Sequence, residues 1–129
     1  MKAVIVNTDH SLTTQEVATP VPDPKEILIK VQCAGVNRAD LMQRRGFYPP
    51  PPGASKILGL ECAGTVESVG SSCKRYQVGD TVCALLSGGG YAEYVTVDEG
   101  SVLPIPAGFS FEQAASLPEV FATAWLNLF

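Results

Sequence analysis

The sequence predicts a mostly β domain, an irregular antiparallel barrel with a few short helices. The Val- and Ile-rich runs are short and bounded by Gly, Pro, Asn or Asp, as strands are. Several of them alternate apolar and polar residues, the period that puts one face of a strand in a core. A sheet of many short strands hides its edges best by closing on itself.

The elements follow in order. Lys2 to Asn7 is the first strand, and Thr13 to Val17 pairs with it as a hairpin across Asp9-His10-Ser11. Pro20, Pro22 and Pro24 interrupt regular structure. Glu26 to Ala34 is a strand with Ile27, Ile29, Val31 and Cys33 on one face. A short helix spans Arg38 to Arg45, with Asn37 as N-cap and Gly46 at the left-handed C-terminal position. Phe47 to Gly53 carries four prolines and reads as a stiff extended loop.

Gly59 to Val69 is a long strand in which Gly64 marks a bulge or a close backbone approach. Thr81 to Leu86 and Tyr91 to Val97 are further strands, joined by Gly88-Gly89-Gly90 as a flexible link. Pro104 and Pro106 bracket an extended exit. Ser110 and Gln113 form a capping box that opens a helix, and Pro118 starts the last one. That last helix runs to Leu128-Phe129, apolar and uncapped, which leads us to expect more protein beyond Phe129.

The totals narrow the function. With 129 residues the chain makes one domain with a core that needs no disulfide or metal staple. A net charge of -4 excludes a general nucleic-acid binder, which needs a basic face. No signal peptide and no membrane span is visible, so a cytoplasmic protein is expected. The four cysteines, Cys33, Cys62, Cys73 and Cys83, form no C-x-x-C pair and read as reduced thiols. The single histidine, His10, lies in the first turn and reads as a surface residue, so histidine-assisted nucleophiles have no support. The glycine run fails the spacing and context of a dinucleotide-binding turn.

Four motifs occur in order: Ala34-Gly35-Val36-Asn37-Arg38-Ala39-Asp40, Gly59-Leu60-Glu61-Cys62-Ala63-Gly64-Thr65-Val66, Tyr76-Gln77-Val78-Gly79-Asp80-Thr81-Val82 and Gly89-Gly90-Tyr91-Ala92-Glu93-Tyr94. Together they resemble the N-terminal GroES-like catalytic domain of the medium-chain dehydrogenase/reductase superfamily. The zinc alcohol dehydrogenases of that superfamily carry a cysteine where this chain has Asn37 and a histidine where it has Leu60. Neither residue here is a good zinc ligand. The lobe that binds structural zinc in those enzymes is missing too, since Leu86-Ser87-Gly88-Gly89-Gly90 leads directly into the next strand. The pattern is similar to the zinc-independent quinone oxidoreductases. Asn37 to Arg44, followed by Gly46-Phe47-Tyr48-Pro49, resembles their p53-inducible branch.

This resemblance implies NADPH-dependent reduction of a quinone without zinc. It implies a nucleotide-binding domain after residue 129, and a dimer or larger assembly for the longer parent. The fragment alone would be inactive. It places Asn37 and Tyr48 against cofactor and substrate and Thr123 on the nicotinamide carboxamide. Each has a plainer role as well: Asn37 as a helix cap, Tyr48 as a loop aromatic packed on prolines, Thr123 bonding its own backbone. Glu61 reads as structural rather than catalytic. The alternatives are a zinc-independent enoyl-thioester reductase of the same superfamily and a non-catalytic interaction module.

Overall fold

One long strand, Glu26–Ala34 (β3), organises the computed structural model, which describes residues 1–129. It is preceded by a hairpin of Lys2–Val6 (β1) and Leu12–Glu16 (β2). It is followed by the helix Arg38–Arg44 (α1), then the strands Glu61–Val69 (β4), Thr81–Leu85 (β5), Tyr94–Asp98 (β6) and Val102–Pro104 (β7). The helices Phe111–Ala115 (α2) and Pro118–Leu128 (α3) end the described chain. No helix is long and apolar enough to cross a membrane.

The main sheet is antiparallel, in the order β6-β3-β4-β5-β7. The hairpin forms its own two-stranded sheet, bridged to the rest at Ala3 and Ala92 and held to α1 by Arg44 Nε donating to the His10 carbonyl at 2.6 Å. β6 and β7 follow each other in the chain yet occupy opposite edges of the main sheet. Only the 3-10 turn Glu99–Ser101 separates them. In a flat sheet those edges would stand about 19 Å apart, at roughly 4.8 Å per strand. The chain from Asp98 to Val102 reaches at most about 14 Å. The sheet must therefore curl until its edges approach.

The curl does not close. β6 and β7 share no ladder, so the expected barrel remains an open one. β7 is only three residues long and ends in Pro104, which has no N–H to give. The connecting turn, capped by Asp98 Oδ1 accepting from the Gly100 N–H at 2.8 Å, fixes the chain direction between the two edges.

The inside of the curl is the core. Ile27, Ile29, Cys62, Val66, Val82, Val95 and Val102 pack there, almost or wholly removed from water. On the outer face α2 lays Ala114 and Ala115 against Ala63 and Cys83. The single face expected for β3 breaks at its end. Val31 packs with the inner core, but Cys33 joins the α2 side, because the pairing with β4 slips between Val31 and Cys33. Gly64 sits where any Cβ would strike the Lys30 carbonyl, the close approach its place in a strand suggests.

Several boundaries move for identifiable reasons. Residues 59 and 60 precede β4, and residues 91–93 precede β6. Tyr91 and Glu93 spend their backbone groups on Leu58, Val4, Lys2 and Val31 instead of extending the β6 ladder. The segment Gly88-Gly89-Gly90 is not a flexible link. All three glycines are buried, Gly89 and Gly90 donate to the carbonyls of Ile57 and Gly59, and a Cβ on Gly88 would press into the Ser55 carbonyl. Ser110 and Gln113 form the expected capping box, with Ser110 Oγ accepting from the Gln113 N–H at 3.2 Å. α3 leaves Phe121, Trp125, Leu126, Leu128 and Phe129 exposed.

Candidate functional site

The site grows from the turn that leaves β3. Gly35 and Val36 carry the chain to Asn37, whose extended backbone (φ −119°, ψ 157°) puts it at the N-cap of α1. Its side chain makes no cap hydrogen bond. Asn37 nevertheless shares a capping box with Asp40, whose Oδ2 accepts from the Asn37 N–H at 2.9 Å. The Asn37 amide turns instead to β4, where Nδ2 donates to Glu61 Oε1 at 2.9 Å.

Glu61 is 2% exposed, an unusual place for a carboxylate. Gly35 makes room for it, since a side chain there would collide with the Glu61 carboxyl group. Glu61 Oε2 accepts from the Glu119 N–H, in the first turn of α3, at 2.9 Å. The free N–H groups and dipole of a helix start favour a negative charge. One side chain thus joins the start of α1, the start of β4 and the start of α3, as its expected structural role requires.

Asp40 is the second buried acid, also 2% exposed. Besides the Asn37 N–H, its Oδ2 accepts from the Tyr91 hydroxyl at 2.7 Å, while its Oδ1 has no partner. Burial, then the Asp40 hydrogen bond and charge, pushes the Tyr91 phenol up. Glu119 completes the set. Burial raises its carboxyl, the charges of Glu61 and Asp40 raise it further, and the Thr123 hydroxyl acts in the opposite sense. No cation balances these acids, because the only ion pair in the chain joins the Met1 amine to Glu16. Hydrogen-bond donors offset their desolvation instead.

A pocket of about 180 Å³ opens beside this network, with Gln43, Tyr48, Leu60, Leu86, Ser87 and Glu119 on its wall. Tyr48 is 49% exposed, as a residue at a mouth would be. The pocket therefore brings Tyr48 together with Leu60 and Glu119. Asn37 reaches the same corner through Glu61. Thr123 lies one helical turn beyond Glu119 and is exposed, and its carbonyl accepts from Asn127 Nδ2 at 2.8 Å. A roomier cavity of about 560 Å³ lies between β6, the end of β5 and the segment around Ser55, and shares Leu85, Leu86 and Ser87 with the first. No three His, Cys, Asp or Glu side chains converge as metal ligands would.

Glu119, Asp40 and Tyr91 were not among the residues the sequence singled out. The Asn37-x-x-Asp40 spacing is that of a capping box, and an acid just after Pro118 fits a helix start. The Tyr91–Asp40 bond, 51 residues apart, leaves no local signal.

Comparison with known proteins agrees with this architecture. Residues 23–107 match the family model described as the alcohol dehydrogenase GroES-like domain. The human synaptic vesicle membrane protein VAT-1 homolog-like is 40% identical over 112 residues, 87% of this chain and 27% of that protein. The mouse quinone oxidoreductase is 36% identical over 115 residues, 88% of this chain and 35% of its own length. The Escherichia coli quinone oxidoreductase complexed with NADPH superposes with a TM-score of 0.80 at 30% identity, over 98% of this chain and 39% of that one. The chain thus spans about a third or less of the curated relatives it matches. With the GroES-like motifs of its sequence carried on this open antiparallel sheet, the chain belongs to the alcohol dehydrogenase GroES-like domain family, within the medium-chain dehydrogenases/reductases.

Proposed function

We propose that this chain is the substrate-side domain of a zinc-independent, NADPH-dependent quinone oxidoreductase. One observation carries the reading: the corner that would hold a catalytic metal offers an amide at Asn37 and an alkyl wall at Leu60 beside a Glu61 already engaged by two donors. That donor set suits a polar organic ligand better than zinc, which wants several thiolates, imidazoles or carboxylates. A quinone is electrophilic enough to accept hydride without a Lewis acid. The likeness to quinone oxidoreductases supports the same assignment.

The residues present suit the nicotinamide end of a dinucleotide and not its phosphates, for which the chain has no glycine-rich helix start. Asn37 and Thr123 would hold the carboxamide end by hydrogen bonds, and Tyr48 would cover a flat ring with its own. When bound, the nicotinamide supplies hydride; this chain contributes position and exclusion of water. An enoyl-thioester reductase is the second reading, favoured by the likeness to the CurK enoyl reductase, with a TM-score of 0.87 at 29% identity.

The test is a substrate panel on the whole protein with NADPH and NADH. Rapid reduction of small quinones, slow reduction of enoyl thioesters and no stoichiometric zinc by elemental analysis are expected. A preference for enoyl thioesters would transfer the assignment to the second reading.

A further inference from the structure

Reduction of a quinone needs more than hydride. Quinone plus hydride has the composition of a hydroquinone monoanion, and one proton completes the product. Hydride from a reduced nicotinamide dinucleotide accounts for both electrons. The proton must come from an acid beside the substrate oxygen or from water.

Three acids gather at this corner. Glu61 is committed, since its two oxygens accept from Asn37 Nδ2 and from the Glu119 N–H. Asp40 accepts from the Asn37 N–H and the Tyr91 hydroxyl. Neither lines the pocket. Glu119 does, with Tyr48 and Leu60. It is half-buried, so it reaches both pocket and solvent.

We propose that Glu119 is a catalytic residue, the acid that protonates the substrate oxygen as the quinone is reduced. The proposal rests on the quinone reductase reading above. The O–H bond of the Glu119 carboxyl group breaks, a new O–H bond forms on the substrate, and the carboxylate left behind takes a proton from water on its exposed side. The surroundings raise its carboxyl above the ordinary value, burial first and then the nearby negative charges. The charges that act on it from the neighbouring elements are negative, Glu61 from β4 and Asp40 from α1, and only the Thr123 hydroxyl on its own helix opposes them. The helix start would favour a carboxylate here, but the Glu119 N–H is already spent on Glu61.

The test compares two quinones on the whole protein carrying Glu119→Gln, which keeps the size and loses the acid. With p-benzoquinone, kcat falls about a hundredfold while KM holds. With tetrachloro-p-benzoquinone, whose acidic hydroquinone leaves as its anion, kcat falls little. Equal losses on both would reduce Glu119 to a packing residue and overturn the proposal. Should the glutamine variant fold poorly, Glu119→Asp withdraws the acid by one methylene and must show the same contrast. Carbon-13 carboxyl resonances of the chain give a readout apart from turnover. Glu119 must titrate above the ordinary carboxylate range and move back toward it in Glu61→Gln. A normal titration alongside intact quinone turnover sinks Glu119 alone, whereas a wild-type protein inert to every quinone removes the reading beneath it.

Discussion

Strand β4 has two unlike neighbourhoods a residue apart. Cys62 and Val66 face the inside of the curl, where every neighbour is apolar. Glu61, the residue before Cys62, enters a corner held by carboxylates and hydrogen-bond donors. The first neighbourhood stabilises the fold without specifying chemistry. The second is held by a handful of directed bonds and leaves Asp40 Oδ1 without a partner. A sheet secured by its inner face can afford such a corner on its rim.

The hardest blow to the first region is Ile29→Ala. Ile29 is fully buried at the centre of the inner cluster, so unfolding in urea should show a loss of about 2–5 kcal/mol. The corner should survive it: the side-chain amide resonances of Asn37 should stay where they are while the folded state persists. If they moved as much as the core signals, the two regions would be one cooperative unit and the contrast would dissolve.

A gentler probe is alkaline pH. Burial, with smaller contributions from Cys83 and Glu61, pushes the Cys62 thiol from 9.0 up to about 12. Its proton is held more tightly in the folded state, so its contribution is complete below about pH 9 and is lost as pH rises toward 12. The slope is about 1.4 kcal/mol per pH unit. Cys62→Ala should flatten the stability profile between pH 9 and 12, at the cost of a small cavity. An unchanged profile would show that the thiol is not what alkali attacks. The raised Glu119 carboxyl has the same sign, its contribution present at acid pH and fading as pH climbs through its raised value.

The smallest effect belongs to Tyr91→Phe. It removes the hydroxyl from Asp40 Oδ2 and leaves that buried carboxylate with the Asn37 N–H alone. A loss of about 1–3 kcal/mol in thermal or urea unfolding is expected. No loss at all would mean that water already serves Asp40, and that the corner is wetter than its burial implies.

The contrast also explains what could be read from the chain. The apolar alternation of β3 and the capping box at Ser110 are local signals, and the elements form where those signals point. The β3 face failed at Cys33 because a register slip is a property of two strands, and one strand's periodicity cannot announce it. Gly88-Gly89-Gly90 looked flexible because glycine permits motion. Here it permits contact, and the partner is the backbone at Ser55, Ile57 and Gly59. β7 was missed as a strand because three residues are too few to show an alternation and the third is Pro104. At the corner, resemblance to a family singled out Asn37, Tyr48 and Leu60, and the fold brings Tyr48 and Leu60 to one pocket. Glu119 was not legible, because its partner Glu61 lies 58 residues away.

The short passage from β6 to β7 has one more consequence. It joins two edges that no ladder joins, so the width of the seam is set by covalent chain length. The gap between those edges behaves like an opening held by a strap: it cannot widen without tearing hydrogen bonds from β3 or β5. Insertion or deletion between Asp98 and Val102 is therefore the direct way to resize it, whereas substitutions along its walls would only repaint the interior.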